Sequence, residues 1–103
     1  MNGSKFYVGS TLKFALTIER KGFNMDWNKW TVTVSRGDKT MVCDRDNNSV
    51  TDKDGQWYFL IDTGYLGVGT YKIKIEIEVP DEDYASGISR EVYGQNLIKV
   101  GAV

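Results

Sequence analysis

The segment Thr70 to Val79, Thr-Tyr-Lys-Ile-Lys-Ile-Glu-Ile-Glu-Val, constrains this chain more than any other. Tyr71, Ile73, Ile75, Ile77 and Val79 alternate there with Lys72, Lys74, Glu76 and Glu78. Period two places every apolar side chain on one face and every charge on the other, whereas a helix would spread the same residues around its whole circumference. At ~3.4 Å per residue the segment runs roughly 30 Å as an antiparallel strand, with its oily row on a core and its charges in water.

The same alternation recurs along the chain. Phe6 and Val8 form a short strand that breaks at Gly9-Ser10, after which Leu12, Phe14, Leu16 and Ile18 alternate with Lys13, Ala15, Thr17 and Glu19. Lys21-Gly22 ends that strand, and a polar loop carrying Trp27 precedes Trp30, Val32 and Val34. Arg36-Gly37-Asp38 reads as a tight hairpin turn leading to a returning strand over Met41 to Cys43. Asp44 to Gly55 is rich in Asp and Asn, which cap their own backbone in turns. A further short strand around Ser49-Val50-Thr51 stays open. Gln56 to Asp62 puts Trp57, Phe59 and Ile61 on one face and Tyr58 and Leu60 on the other, so this strand is either central and covered or meets a partner. Gly64, Gly67 and Gly69 then break the chain. Pro80 to Gly87 forms a loop, and Ile88 to Val100 returns with a bulge at Gly94, where the phase of the apolar residues shifts.

No window carries apolar residues at helical spacing. Seven short strands separated by turns predict an all-β chain: one immunoglobulin-like β-sandwich domain over residues 1–103, built of two antiparallel sheets. Three aromatic residues are structural candidates. Trp30 is the natural plug between the sheets, Trp57 faces the same core, and Tyr71 is either a corner tyrosine bonding upstream backbone or an ordinary inward ring.

Composition narrows function mainly by exclusion. Thirteen basic against 14 acidic residues leave a net charge of -1 with the signs interleaved, so no basic stripe is present to hold nucleic acid. The chain lacks histidine, which removes imidazole-dependent triads and the usual zinc sites. Cys43 is the single cysteine, so the fold holds without an internal disulfide. No signal-peptide pattern opens the sequence, and no apolar run is long enough to span a membrane. Asp44, Asp46, Asp52 and Asp54 are numerous enough to suggest paired-carboxylate chemistry, but such chemistry needs a deep cleft to separate two pKa values. Asp44, Asp46 and Asn48 start a calcium-loop spacing that then fails, because Ser49 stands where glycine is required and Gly55 where a glutamate is required. These three are weak metal candidates, and no catalytic residue and no cofactor are expected. Trp27, Tyr65 and Tyr84 in predicted loops join Tyr58 and Leu60 as candidate interface residues.

Taken in order, Gly9-Ser10-Thr11-Leu12 leading to Phe14 and Leu16, Trp30 to Val34, Asp54-Gly55, Ile61-Asp62-Thr63, Leu66-Gly67, Gly69-Thr70-Tyr71 and Leu97 to Val100 span nearly the whole chain. In this order of features the chain resembles the N-terminal immunoglobulin-like domain of phage baseplate upper proteins. It departs at Ser10, where members often carry an acidic residue. The resemblance implies a non-enzymatic phage or prophage virion structural protein of tail or baseplate type, made in the host cytoplasm. Its partners would be other virion proteins or further copies of itself. Two other readings stand beside it: a carbohydrate-binding module using Trp27, Tyr65 and Tyr84, and an immunoglobulin-like domain of a cell-surface protein.

Overall fold

The computed structural model describes residues 6–46 and 49–102. The chain forms β1 (Phe6–Tyr7), β2 (Thr11–Leu16), β3 (Trp30–Arg36), β4 (Lys39–Cys43), β5 (Val50–Lys53), β6 (Gln56–Asp62), a single helical turn α1 (Thr63–Leu66), β7 (Gly69–Pro80) and β8 (Ile88–Gly101). A five-stranded sheet in the order β1-β8-β7-β3-β4 packs on a three-stranded sheet in the order β2-β6-β5. The fold is therefore the all-β, two-sheet sandwich that the alternation predicts.

Period two appears directly as burial. In β3, Trp30, Val32 and Val34 are buried, and in β7 Tyr71, Ile73, Ile77 and Val79 are, while Lys72 and Lys74 stay exposed. Leu12, Leu16, Phe59 and Ile61 meet them from the smaller sheet. Each fully buried side chain of this size contributes about 1.5–3 kcal/mol, and that burial is what joins the layers.

Four details depart from the sequence expectation. Among the described residues the strands number eight, because Val50–Lys53 pairs with β6 through Val50–Phe59, Thr51–Tyr58, Asp52–Trp57 and Lys53–Gln56. β1 lies parallel to β8, with Phe6 beside Val100, so the larger sheet is not wholly antiparallel. Alternation continues to Glu19, yet β2 stops at Leu16 because its partner β6 begins at Gln56; there Gln56 Nε2 donates to Leu16 O at 3.0 Å and closes the ladder. The glycine-broken stretch after β6 holds the helical turn α1, capped by Asp62, whose side chain accepts from Tyr65 N.

The switch of the first segment between sheets is built at Gly9, where φ is +100°, a conformation that costs glycine little. Gly9 N donates to Thr63 Oγ1 (2.9 Å), and that buried hydroxyl donates to Ser10 O (2.5 Å). Thr63 thus pins the crossing from β1 to β2. The tyrosine alternative resolves as a corner: Tyr71 is fully buried and its phenol donates to Gly67 O at 2.5 Å.

Candidate interaction surface

The outer face of the five-stranded sheet carries its charges along the central strand. Lys72 and Lys74 occupy one half of β7, Glu76 and Glu78 the other. Lys74 Nζ lies 3.2 Å from Glu76, and Arg90 of β8 lies 3.9 Å from Glu76 and 3.8 Å from Glu78. The lysine and arginine ends of these bridges are open to solvent and the glutamates half-buried, so each bridge is worth at most a few tenths of a kcal/mol to about 1 kcal/mol. Lys72 has no ion pair among the described residues. Thr31, Thr33 and Ser35 of β3 stand beside this row, level with Glu76, Lys74 and Lys72.

A bulge in β8 decides what lies on the other side of the row. Ile73 pairs with Asn96 and Ile75 with Tyr93, so two residues of β8, 94 and 95, oppose Lys74 alone. Val92 and Leu97 are five positions apart and would point to opposite faces of a regular strand. The extra residue restores the phase, and both lie on the outer face, level with Glu76 and Lys72. Val92 is 56% exposed, Leu97 62%, and Val42 across the sheet 48%. Val92 and Leu97 border a shallow depression of about 1000 Å³, lined also by Thr33, Ser35, Thr40 and Lys74 among others.

Among the loop aromatics, Trp27 is the most prominent. It is 81% exposed at the tip of a turn in which Asn28 N donates to Asn24 O (2.9 Å) and Asp26 N to Asn24 Oδ1 (2.8 Å). Beneath it, Trp30 Nε1 and Arg45 both donate to Met25 O, and Trp57 Nε1 donates to Asp26 Oδ1 at 3.1 Å. The ring does not fold back on the core; its loop is fixed from below and presents it outward. Tyr84 is exposed in the β7–β8 turn, which Asp81 N to Gly87 O and Gly87 N to Tyr84 O close.

Trp27 precedes Trp30, which pairs with Ile77 near the end of β7, so Trp27 and Tyr84 share one end of the sandwich. Tyr65 sits in α1, before the start of β7, at the opposite end, with Lys39 Nζ 5.7 Å from its ring centre. The three rings therefore do not form one platform.

Tyr58 and Leu60 lie on the outer face of the smaller sheet, whose central strand is β6. Both are half-buried by their neighbours, and Lys13 Nζ sits 5.1 Å from the Tyr58 ring centre. This face is small and polar-edged, with Thr11, Lys13, Ala15 and Thr51 around the two apolar side chains.

Asp46 N donates to Asp44 Oδ1 at 2.9 Å, the geometry of a turn in which an aspartate caps its own backbone. Asn48 lies outside the described residues. Among the described residues no group of three or more His, Cys, Asp or Glu is placed to hold a metal ion. Cys43 is buried in the core, and burial pushes its thiol pKa up, which leaves it a poor nucleophile. No helix among the described residues is long and apolar enough to cross a membrane.

Comparison of the chain with family models, with curated proteins and with solved structures yields no match. The surface therefore speaks through its own residues. Sequence reasoning noticed the phase shift at Gly94 but did not carry it to Val92 and Leu97, and it passed over Val42. The available signal was the odd spacing of Val92 and Leu97 across a glycine.

Proposed function

We propose that this chain is a non-enzymatic structural protein of a phage or prophage virion, of tail or baseplate type, that works through protein-protein contacts. The observation that carries the contact role is the exposure of Val92 and Leu97 at one depression on the outer face of the five-stranded sheet, an arrangement that loses free energy in water and regains it under a partner. Placement in a virion rests on the order of strand and turn elements from Gly9 to Val100. The absence of histidine from the sequence and the inert, buried Cys43 favour docking over catalysis.

The test is purification of particles from the parent phage or an induced prophage, with mass spectrometry and cryo-microscopy of the tail. The chain is expected in stoichiometric amount at the tail tip, and its absence from assembled particles overturns the virion reading. A second reading, carbohydrate binding, is favoured only by the fixed and exposed Trp27, with Tyr84 at the same end. A glycan array on which Trp27→Ala abolishes a reproducible signal would support it, and a blank array removes it.

A further inference from the structure

The charge row of β7 is its own complement. Along the outer face it reads Lys72, Lys74, Glu76, Glu78, two cations followed by two anions. Two such sheets stacked face to face with their strands running in opposite directions bring Lys72 over Glu78 and Lys74 over Glu76, twice by symmetry. Stacked with strands running the same way, they bring like over like. We propose that this face is the interface of a homodimer, in which a second copy packs antiparallel across it about a two-fold axis that lies between the sheets and crosses β7 near Ile75.

Shape follows the same operation. The axis exchanges the level of Glu76 with that of Lys74, so Val92, level with Glu76, comes over the bulge opposite Lys74 of the second copy. That level holds the depression lined by Thr33, Lys74, Gly94 and Leu97, and each copy offers both the knob and the hollow. On β3, Thr31 comes over Thr33 of the second copy, and these short hydroxyl side chains allow close approach. The like-charge alternative would also leave Lys72 with an added cation, where the antiparallel one gives it a carboxylate.

The area suits a weak, reversible dimer. β8, β7 and β3 run through the overlap with β4 beside part of it, a face roughly 14–19 Å wide at ~4.8 Å per strand, and an overlap of seven to ten residues is roughly 23–33 Å long. That buries about 350–600 Å² per copy, at the small end of specific interfaces and in keeping with a micromolar contact. Symmetric two-fold dimers are also the commonest closed assembly for a single kind of chain.

The inference deepens the contact role proposed above by naming a second copy as the partner, and it does not depend on any particle. Sedimentation equilibrium of the whole chain tests it. The wild type is expected to dimerise with a micromolar Kd that weakens at least tenfold between low and 0.5 M salt, because the contact rests partly on charge. The variant K72E/K74E presents only anions along the row and E76K/E78K only cations; each alone is expected to lose at least tenfold in self-association. Mixed in equal amounts, they are expected to form a heterodimer, since the row of one now faces its opposite. L97K provides an independent check: the axis brings residue 97 over Arg90 of the second copy, so a cation there is expected to leave the chain monomeric with an unchanged circular dichroism spectrum and melting curve.

A wild type that stays monomeric at several hundred micromolar overturns the proposal, as do charge-reversed variants that self-associate like the wild type or fail to pair when mixed. A monomer that still co-purifies with particles sinks the dimer and leaves the virion reading standing. A dimer never found in particles does the reverse.

Discussion

The indole of Trp30 meets that of Trp57 edge-on, with ring centres 5.6 Å apart and planes at 75°, and the pair joins the larger sheet to the smaller one. Trp30 also ties down the loop above it through Met25 O, 2.9 Å from its ring nitrogen. Trp30→Ala therefore removes a core plug and a loop anchor together, and is expected to cost about 3–5 kcal/mol. Urea denaturation followed by far-ultraviolet circular dichroism measures it. A loss below about 1 kcal/mol would mean that the pair does not hold the layers.

Tyr71→Phe keeps the buried ring and deletes only the bond to Gly67 O. That carbonyl is left without its partner at the turn into β7, so the expected loss is about 1–3 kcal/mol with little change in the urea m value. Hydrogen exchange should speed up first around Thr63 to Gly69, because the bond closes that turn.

Gly69 has φ of +147°, and a Cβ built there would lie 2.6 Å from Arg36 Cδ. The Arg36 guanidinium in turn donates to Leu66 O, so its side chain is held across the turn. Gly69→Ala is expected to destabilise by about 2–4 kcal/mol through strain and clash together. Combined with Arg36→Ala the two losses should fall short of their sum, since the clash vanishes with the arginine. Strict additivity in a double-mutant cycle would show that backbone strain alone sets the cost.

Glu91 accepts from the phenol of Tyr93 and pairs with Arg20 at 2.7 Å, tethering the β2–β3 loop to β8. The Tyr93 hydrogen bond first and Arg20 second hold its pKa below the usual carboxylate range. A carboxylate depressed on folding adds stability above its unfolded pKa, about 4.3, and loses it as pH falls through the lower folded value. Glu91→Gln should therefore flatten the acid side of the stability profile and lower its neutral plateau, while leaving stability below the folded pKa unchanged. Nuclear magnetic resonance titration of the loop amides is the direct check, and an unchanged acid limb would rule the tether out.

Strand identity was legible because alternation is a local property. Trp30, Val32 and Val34 face the core in the structure as their spacing required, and so do Trp57, Phe59 and Ile61. The bulge at Gly94 was legible too, since a change of phase across a glycine has few other causes. β5 was visible only as an alternative, because Val50 is its one apolar residue facing the core and the ladder to β6 carries the rest. The interaction surface was less legible. Tyr58 and Leu60 stand out in sequence as a second apolar row, yet they are half-buried by neighbouring strands, while Val42, Val92 and Leu97 come from strands that sequence order keeps apart.

By itself the sequence located seven of the eight described strands and the apolar side of each, because steric alternation of side chains acts between adjacent residues. Tertiary structure alone decided that β1 crosses to β8, that Trp27 and Tyr65 sit at opposite ends, and that Arg36 lies under Gly69. Those outcomes depend on hydrogen-bond register and packing between residues far apart in the chain, whose energies exist only once the two sheets have closed on each other.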